Sequence, residues 1–288
     1  MVKATRIVFL GSYPWSVLLL NGLWDVPGIE VTRIITTPGR GNTSLSQTPV
    51  EEFCRSRGAA DRLVVSPSLD DAAFKRSLES FRAHFALSVA YPRRIPNDFC
   101  TAFIHGGLNL HPSLLPRWRG PDPVRRALLA ADCKIGVTLH QIAEEFDAGD
   151  ILWQEEVEVR SGDNSWSILE RLGNITVAAL PRILAGFVEG NLALRPQTGE
   201  ATYASPVREE ERWVRPEMTR TEADRLISAL YPFKPALWIH GETVHCLAGP
   251  LSLQEEPEMV RLKLADGVFF ARSVTVTTYG SENLKTGT

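Results

Sequence analysis

Short apolar runs alternate with helix-patterned segments along the first half of the chain, and this alternation limits the fold more than any other feature. Ile7-Val8-Phe9-Leu10 stops at Gly11, as a buried parallel strand does. Residues 15–23 then read as a helix, 31–36 as a β-branched strand, 49–57 as a helix and 63–65 as a short strand. An amphipathic helix is expected over 70–83, strands over 85–90 and 107–111, a helix over 124–131 and a strand over 135–140. This order predicts an α/β fold: an open, mainly parallel sheet with helices on both faces. Ligands of such sheets sit outside the carboxyl ends of the strands.

A long helical stretch over 165–188 is expected to be interrupted at Pro181. Residues 191–206 hold two prolines, a Thr-Gly pair and few large apolar side chains, which reads as a linker. Beyond it, a helix over 221–230 precedes short strands at 236–239, 242–247, 260–264 and 268–276, so residues 207–288 form a small β-rich domain. The resulting division is 1–190 for the first domain, 191–206 for the linker and 207–288 for the second domain.

Composition excludes several classes. The net charge of −3 supplies no general basic field for nucleic acid. Cys54, Cys100, Cys133 and Cys246 are scattered with no Cys-x-x-Cys pair, so neither a zinc ribbon nor a disulfide framework is expected. The apolar run near the start is too short for a signal-peptide core, and nothing approaches the ~20 apolar residues of a membrane span. A soluble cytoplasmic protein with reduced thiols and no metal is the expectation. Gly11 lacks the companions of a Gly-x-Gly-x-x-Gly turn, which argues against a dinucleotide. The loop Gly39-Arg40-Gly41-Asn42-Thr43-Ser44 is a polar surface loop or a phosphate contact, in which case Arg40 is the contact residue.

The chemistry gathers in two runs. Leu108-Asn109-Leu110-His111-Pro112 places an amide and an imidazole two residues apart, on one face of a strand. Phe146-Asp147-Ala148-Gly149-Asp150 adds a carboxylate in the loop after the next strand. An amide donor, an imidazole and a proton acceptor suit transfer of an acyl group to an amine. His140 ends a strand without a partner at matching spacing and reads as structural. His240, His245 and Cys246 lack metal-ligand spacing.

Asn109-Leu110-His111-Pro112-Ser113-Leu114-Leu115-Pro116-Arg117-Trp118-Arg119-Gly120, with the later Gly136-Val137-Thr138 and Phe146-Asp147-Ala148-Gly149-Asp150-Ile151-Leu152, resembles the signature of folate-dependent formyltransferases. Thr202-Tyr203-Ala204, Arg208-Glu209-Glu210 and Ala229-Leu230-Tyr231-Pro232-Phe233 extend the resemblance, most closely toward the branch that formylates methionyl-initiator tRNA. The resemblance implies a Rossmann-like catalytic domain followed by an OB-like domain, and 10-formyltetrahydrofolate as formyl donor. It implies Asn109, His111 and Asp147 as the catalytic three. Tyr91, the Ser113, Leu114, Leu115 and Pro116 turn, and Ile142, Ala143, Glu144 and Phe146 would line the folate site. Arg40, Arg117 and Arg119 would meet the acceptor.

The acceptor stays open at this level. Methionyl-initiator tRNA is favoured by the linker and second-domain resemblance. A small amine, such as a nucleotide-linked amino sugar or a hydroxyornithine-type siderophore precursor, is favoured by a tail with ten Lys/Arg against twelve Asp/Glu over 207–288. In the family, Tyr91-Pro92 replaces a Tyr-Gly pair, the one feature that points to a non-catalytic folate-binding protein.

Overall fold

The computed structural model describes residues 4–38, 47–65 and 68–278. They divide into two compact units, one of Met1–Gly120, Gly136–Val157 and Leu169–Tyr203, the other of Pro121–Ile135, Glu158–Ile168 and Ala204–Thr288.

The first unit is built on a seven-stranded sheet. Its strands are β1 (Thr5–Leu10), β2 (Ile29–Thr36), β3 (Leu63–Val65), β4 (Phe85–Val89), β5 (Gly107–His111), β6 (Lys134–Gln141) and β7 (Ile151–Glu158), in the order β3-β2-β1-β4-β5-β6-β7. β1 to β5 pair in parallel, and β6 runs antiparallel to β5. The expected mainly parallel sheet is present. Ile7, Phe9, Phe85 and Leu87 are fully buried, as strands covered on both faces require. β7 opens with Ile151-Leu152-Trp153, but at the sheet's edge its later residues are mostly polar and exposed, which masked it in the sequence.

Helices α1 (Pro14–Leu23), α2 (Pro49–Ser56), α3 (Ala72–Ser77) and α4 (Asn97–Cys100) connect these strands. Thr48 and Glu51 form a reciprocal cap at the start of α2, where Pro49 occupies the first turn. The helix expected over 70–83 is shorter. After Ser77 the chain tightens into a 3-10 turn over Leu78–Phe81 and leaves it through Arg82 at φ 48°. The Ser77 hydroxyl takes the Phe74 carbonyl at 2.6 Å, competing with the helical ladder. Three residues per turn then bring Leu78 and Phe81 to the same face, where both are buried.

The expected break at Pro181 is absent: α6 (Ser165–Val188) runs through it. A proline inside a helix costs about 3 kcal/mol. Leu180, Ile183 and Leu184 are each at most 1% exposed, and burying such side chains gains about 1.5–3 kcal/mol apiece. Packing therefore outweighs the lost hydrogen bond.

In the second unit, α5 (Pro123–Leu129) and α7 (Arg220–Leu230) accompany a four-stranded antiparallel sheet of β8 (Ala236–His240), β9 (Thr243–Ser252), β10 (Met259–Leu264) and β11 (Gly267–Thr278), ordered β10-β11-β9-β8. Its core is formed by Leu226, Ile227, Leu230, Leu247, Leu262 and Phe269. Arg126 grips Glu211 through two hydrogen bonds of 2.8 and 3.1 Å. The Arg126 hydrogen bond, with the Arg208 N–H behind it, holds the Glu211 carboxyl down at about 2 from 4.5. A depressed carboxyl stabilises the fold above its unfolded value and loses that contribution as pH falls toward about 2. Thermal melts at about pH 6 and pH 3 should therefore show a larger loss for the wild type than for Glu211→Gln; equal losses would remove this ion pair from the acid response.

Candidate active site

The antiparallel register of β5 and β6 builds the centre of the site. It sets Asn109 opposite His140 and His111 opposite Thr138. The loop over 142–150 then returns Asp147 to the same place. Asn109 Nδ2 lies 3.1 Å from His140 Nε2 and 3.3 Å from Asp147 Oδ1. Asp147 Oδ1 is 3.5 Å from both His111 Nδ1 and His140 Nε2, and Oδ2 accepts the Gly120 N–H at 2.8 Å. Asn109, His111 and Asp147, separated by up to 38 positions in the chain, thus converge.

Protonation follows from the partners. His111 Nε2 faces the Trp118 carbonyl at 2.8 Å and must donate to it. In the neutral ring Nδ1 then carries the lone pair beside Asp147. Burial pushes His111 below its ordinary value, and the Asp147 carboxylate opposes that without reversing it. Burial alone would raise Asp147; the charge that His111 and His140 carry when protonated and the Gly120 N–H outweigh it and hold the carboxyl at about 2. The site therefore rests with an ionised Asp147, and His111 offers a hydrogen at Nδ1 only after taking a proton.

The surroundings fix this arrangement. Asp147 sits at φ 54° and Trp118 at φ 61°, left-handed values that cost about 1–3 kcal/mol for a non-glycine residue. Gln197 donates to the Asp147 and Gly149 carbonyls at 2.7 and 2.8 Å and accepts from Arg119 at 2.7 and 3.2 Å. Thr202 Oγ1 accepts the Trp118 N–H at 2.9 Å. A Cβ on Gly149 would fall 1.9 Å from the Gln141 carbonyl oxygen, so the loop closes only with glycine there.

The residues expected to line a ligand divide by their engagement. Ser113 and Leu115 are buried, and their polar groups are held by Arg117, Thr138 and Gln154. They shape the turn in which Leu114 packs over Gly136 and Pro116 accepts from Thr202. Ile142 and Tyr91 pack against the same apolar cluster. Ala143, Glu144 and Phe146 are exposed. Arg117 lies over the Trp118 ring at 4.6 Å, while the Arg119 guanidinium is engaged by Gln197. Arg40 lies outside the described residues.

Sequence reading took His140 as structural, quoted Trp118 and Gly120 only as part of the signature run, and did not mark Gln197. Strand register and a returning linker create their contacts with the site. The quoted Thr202-Tyr203-Ala204 run was the nearest signal for the linker's involvement. Among the described residues no group of three or more His, Cys, Asp or Glu side chains is arranged to hold a metal, and no helix is long and apolar enough to cross a membrane.

Comparison with known proteins gives the family. Residues 28–184 match the family described as Formyl transferase. A methionyl-tRNA formyltransferase of Nitrosospira multiformis is 32% identical over 79% of this chain and 73% of its own length. HypX from Aquifex aeolicus in complex with tetrahydrofolic acid superposes with a TM-score of 0.67 at 20% identity, over 92% of this chain and 43% of that one. WlaRD, a sugar 3N-formyl transferase, gives a TM-score of 0.65 at 14% identity, over 96% and 99%. At such identities the two structures attest to the fold. The sequence matches reach further, and the chain belongs to the formyl transferase family.

Proposed function

We propose that the chain transfers a formyl group from 10-formyltetrahydrofolate to a primary amine, the amino group of methionyl-initiator tRNA. The observation that carries the reaction type is the convergence of Asn109, His111 and Asp147 within hydrogen-bonding or ion-pairing range. The acceptor is supported by relatives named methionyl-tRNA formyltransferase, such as that of Caulobacter vibrioides, 32% identical over 91% of this chain and 84% of its own.

The folate fits residues at hand. Tyr91 Oη is buried without a hydrogen-bond partner among the described residues, beside the cluster that also holds Ile142. A buried hydroxyl left unpaired costs about 1–3 kcal/mol, and a polar heterocycle would satisfy it. Tyr91, Leu114 and Ile142 would flank the ring system, with the exposed stretch Ala143, Glu144 and Phe146 at its edge. When bound, the folate supplies the activated formyl carbon.

The protein's part is positional and electrostatic. Asn109 turns the N–H that faces Asp147 at rest to the formyl oxygen as negative charge gathers there, while its other N–H stays on His140. Asp147, already ionised, accepts the proton that the attacking amine must lose, directly or through a water. His111 Nδ1 beside it can share that proton, and the imidazolium then offers the oxyanion a second donor. As the tetrahedral centre collapses, the bond from the formyl carbon to the folate nitrogen would break and that nitrogen would take the proton, releasing tetrahydrofolate. The 1–190 segment is the proposed catalytic domain, with 191–206 as linker and 207–288 as the domain available to the acceptor.

A small amine is the second reading, favoured by the acidic balance of 207–288, because phosphate contacts dominate affinity for nucleic acid. The deciding experiment follows release of tetrahydrofolate from 10-formyltetrahydrofolate with methionyl-initiator tRNA or with a nucleotide-linked amino sugar. The tRNA is expected to give the higher kcat/KM by about a hundredfold or more, or roughly 2.7 kcal/mol of discrimination. A higher value with the amino sugar would transfer the assignment to it.

A further inference from the structure

His140 is the one ionisable group at the centre without a role in the reaction described above. It is 2% exposed and stands on β6 directly opposite Asn109. Its two ring nitrogens meet unlike partners. Nδ1 lies 2.9 Å from the Gln141 carbonyl oxygen, which can only accept, so this nitrogen carries a hydrogen. In the neutral ring Nε2 is then a bare acceptor, and it faces the Asn109 amide nitrogen at 3.1 Å. The opposite amide orientation would turn the Asn109 oxygen toward both the His140 lone pair and the Asp147 carboxylate. Two acceptors on one side therefore determine which end of the carboxamide faces Asp147.

We propose that His140 is a positioning residue of the formyl-transfer centre, its Nε2 lone pair fixing the Asn109 carboxamide. With its hydrogen on Nδ1, His140 accepts from Asn109 and leaves Asp147 Oδ1 to the amide's other hydrogen. A ring with its hydrogen on Nε2 could not accept from Asn109, and the nearest acceptor for that hydrogen is Asp147 Oδ1 at 3.5 Å. The titratable groups facing His140 are His111 from β5, at 6.3 Å between ring centres, and Asp147 from the following loop. Asn109 and the Gln141 carbonyl complete its polar surroundings among the described residues.

This inference rests on the proposed reaction only for its kinetic arm, so the test has two arms. In the first, the whole protein is labelled with 15N at histidine and asparagine and studied by NMR. His140 should carry its hydrogen on Nδ1, and the Asn109 side-chain nitrogen should show a coupling to His140 Nε2 across the hydrogen bond. An Nε2–H tautomer, or an Asn109 amide with no such coupling, overturns the proposal without touching the question of which amine is formylated.

In the second arm, H140L and H140Q are compared with wild type in tetrahydrofolate release. Loss of one orienting hydrogen bond should lower kcat about tenfold in H140L with little change in KM for the formyl donor. Glutamine keeps an acceptor that cannot titrate. H140Q should thus recover most of kcat. Wild-type kcat in H140L, or an H140Q no better than H140L, overturns the proposal. Should H140L fail to fold, the NMR arm decides. Absence of turnover with every amine would count against the proposed reaction, and the NMR arm would still test His140.

Discussion

Asn109→Ala is expected to lower kcat by about a hundred- to a thousandfold, or roughly 2.7–4 kcal/mol of barrier, the usual effect of removing one oxyanion donor. The structure makes the expectation specific. The Asn109 amide nitrogen donates to Asp147 Oδ1, and its other resting partner is the lone pair of His140 Nε2. Truncation removes the charge-stabilising donor and also leaves two acceptors without it. KM for the formyl donor should change little, because Asn109 is assigned to the charge that develops during transfer. The melting temperature should stay near wild type, since the side chain is only partly buried. Single-turnover formation of tetrahydrofolate measures the chemical step. A rate within threefold of wild type would remove Asn109 from the reaction.

Gly149→Ala should have a comparable effect for a different reason. The added Cβ would lie 1.9 Å from the Gln141 carbonyl oxygen and 2.8 Å from its carbon, and both belong to backbone. No side-chain rotation relieves such an overlap, so the loop or the end of β6 must move. Overpacking of this kind costs about 1–3 kcal/mol. Asp147 is two residues away and shares the Gln197 amide with Gly149. A displacement on the order of 1 Å at a reacting group can reduce turnover about a hundredfold. Urea unfolding should report the stability loss, and kcat should fall even in the fraction that remains folded. Full activity in a folded Gly149→Ala protein would mean that Asp147 does not depend on this loop closure.

Much of the first unit was legible along the chain. β3 and β5 fall on their expected residues, and α6 begins and ends where expected. These elements are written in apolar runs and periodicity, which a linear reading detects. Two departures came from packing. Pro181 is carried within α6 because its apolar neighbours are buried, and residues 78–81 become a 3-10 turn because two side chains must reach one core. β7 escaped because its apolar opening is only three residues long and the rest of this edge strand is mostly polar.

The site divides in the same way. Asn109, His111 and Asp147 were visible because their residue types and flanking prolines and glycines are local. His140 read as structural because its value depends on antiparallel pairing with a strand about thirty residues earlier. Gln197 lies in a stretch that reads as linker, yet it ties the carbonyls of Asp147 and Gly149 to Arg119. The sequence by itself determined the class of sheet and pointed to the three side chains proposed to react and to their chemical complementarity, since all of these reside in residue type and short-range spacing. Tertiary structure alone decided their protonation, their orientation and the groups that hold them, because hydrogen-bond partners and burial arise between segments distant in the chain.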